Sequence, residues 1–285
     1  MTAAALLEDA AATLAAAGVS SPEWDAERLL RHVLGWDRAT LVANPDRPVP
    51  EADAERFRAL LVRRAAREPL QYILGTQAFW KHEFLVTPAV LIPRPETELL
   101  VETSLELLKG VERPVVVDVG TGSGCIALSI AAERPDAEVH ATDVSEPALD
   151  VARENARRLG LERRVRFHHG NLLEPLSGLE VNLVVSYPPY VDPADRDTLA
   201  PEVRDHEPAT ALFAPDPKAY PARLAAAARE ALLPGGSLLV EIGVGLQAAV
   251  TEAFLEAGLR PTDQKSDLAG VVRALVCQAD SRFRG

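Results

Sequence analysis

Only two cysteines, Cys125 and Cys277, occur among 285 residues, and neither has a Cys or His neighbour at metal-ligand spacing. Neither a disulfide framework nor a zinc site therefore organises the chain. No run approaches the roughly 18 apolar residues that suggest a membrane helix. The segment Met1 to Asp9 lacks a basic region and places Glu8 and Asp9 where a secretory signal has its apolar stretch, so the expected location is cytoplasmic, with no membrane partner. Positive charge is short as well. Thirty Lys+Arg against 42 Asp+Glu give a formal charge of −12, which repels nucleic acid, and no direct DNA binding is expected. Internal repeats are absent, and low complexity is confined to Ala-rich helices.

What remains is 47% hydrophobic and 25% charged, the usage of a globular chain long enough to bury a core without staples. Residues 1–75 read as helices, because apolar residues recur at three- and four-residue spacing. The first runs near 3–17 and ends at Gly18. Ser21-Pro22-Glu23 offers an N-cap, a first-turn proline and an early acid for a second helix through Leu34. A third is expected from Pro50-Glu51 to the Glu68-Pro69 break. Residues 76–92 change period and read as a β-hairpin with Phe79, Trp80 and Phe84 on one side. A helix follows from Pro95 to about Lys109-Gly110. Beyond it, Val115–Val119, Glu138–Thr142, Val165–His168, Leu183–Ser186 and Ser237–Glu241 are strand-length apolar runs alternating with helical segments, the pattern of a parallel sheet covered on both faces.

The strand Val115–Val119 runs into Gly120-Thr121-Gly122-Ser123-Gly124 and then a helix. Glycines let the backbone turn tightly and approach a ligand, and a helix N-terminus offers free N–H groups. A dinucleotide fingerprint needs G-x-G-x-x-G, and Cys125 stands at its third-glycine position. Asp143, at the end of the next strand, is placed to accept both ribose hydroxyls of an adenosine. That feature suits a nicotinamide dinucleotide and S-adenosylmethionine alike; by itself it could also cap the following helix. G-x-G-x-G after an acidic strand end resembles the S-adenosylmethionine loop of class I methyltransferases.

The apolar strand Leu183–Ser186 ends in Tyr187-Pro188-Pro189-Tyr190, which resembles the Asn-Pro-Pro-Tyr motif of methyltransferases acting on planar amide-like or aromatic amines. An amide nitrogen is a poor nucleophile because its lone pair is delocalised. The site must fix the plane of the group and accept hydrogen bonds from its NH₂, for which an Asn oxygen and a proline carbonyl serve while the Tyr ring stacks. Neither a metal nor a general base is obligatory. Tyr187 stands where this motif has Asn; a phenol cannot reproduce a short amide acceptor and can fill the space of the target nitrogen. Impaired transfer or a rearranged turn is therefore expected.

Leu91-Ile92-Pro93-Arg94-Pro95-Glu96-Thr97-Glu98 suits a stiff helix start. Taken with Glu68-Pro69-Leu70-Gln71-Tyr72 upstream, with Glu202 to Pro208, and with Leu233-Pro234-Gly235-Gly236 through Glu241-Ile242-Gly243 and Gln247, it closely resembles the release factor glutamine methyltransferases (HemK/PrmC family) over nearly the whole chain. The resemblance implies an α/β class I S-adenosylmethionine-dependent methyltransferase with a Rossmann-like sheet. It also implies a helical substrate-recognition domain at 1–75, a hairpin linker at 76–94 and a methyltransferase domain at 95–285.

By the same resemblance, S-adenosyl-L-methionine is bound by Asp118, Gly120, Thr121, Gly122, Ser123, Gly124, Asp143, Asn171, Leu172 and Tyr187. Tyr187, Pro188, Pro189 and Tyr190 receive the substrate and carry the chemistry, and no metal takes part. The implied reaction methylates the side-chain amide nitrogen of the Gly-Gly-Gln glutamine in class 1 peptide-chain release factors, by an enzyme expected to be a monomer. Asn171 replaces an acid near the adenine, which implies weaker cofactor binding, and Leu172 takes a position often aromatic. The stretch Pro215 to Pro221 replaces a glycine-rich loop.

Three rival readings stand beside this one. An adenine-amine DNA methyltransferase shares the Pro-Pro-Tyr turn but is opposed by the net charge. A cofactor-binding protein that has lost its chemistry and binds release factors is favoured by Tyr187 and Asn171. A nicotinamide oxidoreductase is opposed by the glycine spacing. His168, His169 and His206 have no partner at ligand spacing and read as surface or satisfied core histidines. For Cys125, in the first turn after the glycine loop, a lowered thiol pKa is conceivable, but no redox partner accompanies it.

Overall fold

A computed structural model describes residues 1–213, 219–267 and 269–279; of the expected loop replacement, 215–218 lie outside the described residues. Residues 1–75 form helices Ala3–Ala16, Pro22–Leu34, Arg38–Ala43, Glu51–Ala65 and Leu70–Leu74. Leu6, Leu14, Leu29, Leu30, Phe57 and Ile73 turn inward as their core. The Thr2 hydroxyl caps the first helix by accepting from the Ala5 N–H, and Pro22 takes the first turn of the second. Ser21 departs from expectation, since its side chain makes no capping bond. Helices Arg38–Ala43 and Leu70–Leu74 are too short to announce themselves by periodicity. Asp37, accepting from the Thr40 N–H at 2.7 Å, starts the first of these.

The chain divides into two units. One holds Met1–Thr76 together with Ala200–His206; the other holds Gln77–Leu199 and Glu207–Gly285. The segment Ala200–His206 thus lies with the helices, although it falls inside the stretch 95–285. Charge is the physical reason. Arg64, 5% exposed, donates to Asp25 at 2.7 Å and to Glu202 at 2.8 Å, and Arg67 donates to both Glu202 oxygens. Burial pushes the Glu202 carboxyl up, but hydrogen bonds from Arg67 and Arg64 outweigh it and hold it at about 2.

In the second unit β1 (Thr76–Phe79, its first residue counted with the helices) and β2 (His82–Leu85) form the expected hairpin. Phe79 and Phe84 meet edge to face at 6.1 Å, both fully buried. The Trp80 backbone N–H donates to Glu98, and its indole N–H to Glu133. The helix expected from Pro95 begins as a 3-10 turn, Pro95–Thr97, before Glu98–Leu107.

The sheet contains β3 (Val115–Val119), β4 (Glu138–Asp143), β5 (Val165–His169), β6 (Val181–Ser186), β7 (Leu232–Glu241), β8 (Leu259–Ser266) and β9 (Val272–Ala279), in the order β5-β4-β3-β6-β7-β9-β8. Pairings from β5 to β7 are parallel. The sheet is not wholly parallel as expected, because β9 runs antiparallel to both β7 and β8. Alternation along each strand feeds two cores. Val116, Leu183 and Val185 pack on one face with Ile126 and Leu128, while Val117, Val184 and Val240 pack on the other with Leu224 and Phe254. The chain steps outward from β3 to β5 and then returns to the other side of β3 as β6, so the strand order reverses between β3 and β6. A crevice opens beyond the carboxyl ends of strands at such a point.

Candidate functional site

Four strand ends converge on that crevice. The Gly120–Gly124 loop leaves β3, Asp143 closes β4, Tyr187 follows β6 and Glu241 closes β7. The cavity there measures about 250 Å³. Of the expected residues, Gly120, Thr121, Gly122, Ser123, Asp143, Asn171, Leu172, Tyr187 and Pro189 line it, whereas Asp118, Gly124, Pro188 and Tyr190 do not.

Asp143 braces the loop from the neighbouring strand. One of its oxygens accepts from the Gly122 N–H and the other from the Ser145 N–H, each at 2.9 Å. Each oxygen keeps a further lone pair. Burial pushes this carboxyl above its ordinary range, against the backbone donors. Asp118 is fully buried beneath the loop. Its Oδ2 accepts from the Thr121 hydroxyl at 2.7 Å and the Ala127 N–H at 3.2 Å, while Oδ1 is without a partner. Burial drives its pKa up to about 7. Asp118 therefore shapes the loop and does not wall the cavity. Gly124 is required by closeness: at φ 82° an added Cβ would lie 3.0 Å from Leu128 Cδ1 and 3.2 Å from Ala152 Cβ.

Asn155, on the helix Glu146–Arg158, fixes this loop from behind. At 1% exposure it accepts from the Leu85 N–H at 2.6 Å and donates to the carbonyls of Leu85 and Ser123. No sequence pattern marks it, because a lone Asn on an amphipathic helix carries no spacing signal. Leu172, buried and at φ 49°, holds a left-handed conformation costly for a leucine, and such strain gathers at ligand sites. Asn171 donates to Glu174 at 2.7 Å.

At the other end of the cavity the Tyr187 ring is largely buried. Its hydroxyl lies 3.4 Å from that of Tyr190, with ring centroids 5.9 Å apart. Burial first, then the nearby Glu241 and Tyr190, push the Tyr187 phenol well above its ordinary pKa, so it stays protonated. Tyr190 lies against Gly243, where an added Cβ would come within 2.8 Å of its ring. Thr97 also lines the cavity, and its hydroxyl donates to Glu241 at 2.8 Å. Burial pushes the Glu241 carboxyl up to about 7. Opposite them, Glu207 accepts from the Ile92 N–H and the Arg94 guanidinium, drawing the walls that carry Pro93 and Pro208 together. Neither Thr97 nor Glu241 was given a role from sequence, although both stand within motifs noted there.

The Cys125 thiol is pushed up to about 12, first by burial and then by Asp118, so no lowered pKa arises. His168 is a satisfied histidine as expected, its partner being His140 on the neighbouring strand, whose Nδ1 lies 3.0 Å away with the rings stacked. Among the described residues no group of His, Cys, Asp and Glu could hold a metal ion, and no helix is long and apolar enough to cross a membrane.

The cavity suits a cofactor with a ribose and an apolar base. Asp143 offers paired acceptors, Thr142 has a buried hydroxyl without a partner, and Val144, Ala148 and Leu172 supply apolar wall. The family model described as PrmC N-terminal domain matches residues 5–75, and that described as Methyltransferase small domain matches 95–203. Curated relatives include the release factor glutamine methyltransferase of Deinococcus radiodurans, 48% identical over 263 residues, covering 90% of this chain and 92% of that protein. The protein of the same name from Geobacter sulfurreducens is 41% identical over 263 residues, covering 92% and 91%. Among solved structures, a methyltransferase from Pyrococcus furiosus matches with a TM-score of 0.50 at 18% identity, covering 77% of this chain and 96% of that one, a likeness of fold.

Proposed function

The chain belongs to the family of release factor glutamine methyltransferases, and from that premise we propose that it methylates the side-chain amide nitrogen of the Gly-Gly-Gln glutamine in class 1 peptide-chain release factors. The observation that carries this reading is one cavity joining the Asp143-braced glycine loop to the Tyr187-Pro188-Pro189 turn. When bound, S-adenosylmethionine supplies a methyl carbon made electrophilic by its sulfonium. Asp143 would accept from its ribose hydroxyls, and Leu172 and Asn171 would border its adenine. The protein's own contribution is orientation and exclusion of water: the proline turn and the wall tied by Glu207 hold a planar amide in line. The helical unit is assigned recognition of the release factor, and the enzyme is assigned to the cytoplasm as a monomer without a DNA partner.

A second reading, a release-factor-binding protein with weak or no transferase activity, is favoured by one observation: a protonated phenol, Tyr187, walls the cavity where the motif has a short amide side chain. Incubation with labelled S-adenosylmethionine and unmethylated release factor, followed by mass spectrometry, separates the two. Methyl on the Gly-Gly-Gln glutamine is expected. Cofactor binding without any transfer favours the second reading.

A further inference from the structure

We propose that the Thr97 hydroxyl, oriented by Glu241, is the hydrogen-bond acceptor that takes an N–H of the substrate amide; this rests on the amide-methylating reading above. Thr97 lies in the 3-10 turn Pro95–Thr97, is 1% exposed and walls the same cavity as Tyr187 and Pro189. Its Oγ1 donates to Glu241 Oε2 at 2.8 Å, and Glu241 is 5% exposed at the end of β7. An ionised carboxylate only accepts, so it claims the threonine's single proton and leaves lone pairs for another partner. The threonine oxygen is thereby fixed as an acceptor.

This arrangement selects chemistry. A glutamine NH₂ can donate to Thr97, whereas a glutamate carboxylate in its place would set acceptor against acceptor beside a second buried carboxylate. It also supplies what Tyr187 lacks. The Tyr187 phenol keeps its proton and lies beside the Tyr190 hydroxyl, so it is a poor substitute for a short amide oxygen.

The switch between donor and acceptor depends on Glu241. Facing it are Arg94, Glu96 from the 3-10 turn, Arg273 from β9, and Tyr187, with Tyr190 beside Tyr187. Burial is the largest influence and places its titration at about 7. Below that pH a protonated Glu241 can donate to Thr97 and release the threonine proton toward the cavity. The hydroxyl can then present its proton to the substrate N–H and has one lone pair fewer to offer it, so transfer falls as pH drops through this range.

The test uses purified full-length chain, labelled S-adenosylmethionine and unmethylated release factor from pH 6 to 8.5. Thr97→Val lowers kcat/KM roughly tenfold or more, the loss of an oriented charge-assisted hydrogen bond, with cofactor affinity unchanged. Thr97→Ser restores most of the rate, which excludes a role for the methyl group alone. Glu241→Gln, a neutral and weaker acceptor at every pH, lowers transfer at pH 8.5 and flattens the acid limb of the wild-type profile. Wild-type transfer with Thr97→Val unaffected, or with the acid limb unchanged in Glu241→Gln, overturns this inference and leaves the functional reading standing. Absence of methyl on the glutamine with wild-type protein overturns both.

Discussion

A phenol at position 187 walls the cavity, and its hydroxyl lies 3.4 Å from that of Tyr190. Tyr187→Asn therefore both enlarges the site and adds an acceptor. It is expected to raise kcat on release factor by about tenfold, the gain of one well-aligned hydrogen bond in the transition state. A steady-state comparison showing no gain would falsify the view of Tyr187 as an obstruction. Tyr187, Asp143 and the glycine loop were legible because each breaks or completes a pattern of residue types at fixed spacing. Thr97 and Asn155 were not, since their significance lies in what meets them: a carboxylate from β7 in one case, two backbone carbonyls and an N–H in the other. Nothing in a local window reports such partners.

Between elements, polar side chains do the joining. Asn155 links a helix to the hairpin and to the glycine loop through three backbone groups. Asn155→Ala should lower stability by about 2–4 kcal/mol, because buried polar groups are left unpaired, and weaken cofactor binding in parallel. Urea unfolding and calorimetric titration check both, and unchanged cofactor affinity would show that the loop holds its shape without the Asn. In the helical unit, Arg64 is shared by Asp25 and Glu202. Arg64→Leu strands Asp25, while Glu202 keeps its two hydrogen bonds from Arg67, and is expected to cost roughly 3–5 kcal/mol. Faster amide exchange over Pro22–Leu34 in the full chain is the readout, and wild-type protection there would contradict it. The apolar strands were legible as elements, but the pair β8 and β9 was not. Leu259–Ser266 is a mostly exposed edge strand containing Pro261, with no apolar run to mark it.

Over the molecule as a whole, the buried acids set a dependence of stability on pH. Asp118 and Glu241 titrate at about 7 in the folded chain, both chiefly because of burial, and Asp143 is raised too. Between the ordinary carboxylate range of about 4 and pH 7 the folded state holds protons that the unfolded chain has released, so stability falls as pH rises through that window. Glu154, held at about 2 by hydrogen bonds from Arg157 and Arg158, and Glu202 act in the opposite sense, their contribution being lost as pH falls below the ordinary range. Urea unfolding at pH 5 and 7.5 should show the decline, and Asp118→Asn should reduce it. An identical slope in that variant would mean that Asp118 is ionised across the window.

The helical first segment, the hairpin, the parallel strands, the glycine loop and the family follow from the order of residues, because period, turn chemistry and motif spacing are local properties of a chain. Tertiary structure alone decided the antiparallel edge, the grouping of Ala200–His206 with the helices, and which residues wall the cavity. It also decided that Asp118 lies under the loop, that Cys125 is an inert thiol and that Thr97 meets Glu241. Each of these depends on burial or on a partner far away in sequence. Desolvation and hydrogen-bond satisfaction are settled only when the strands and their covering helices are assembled.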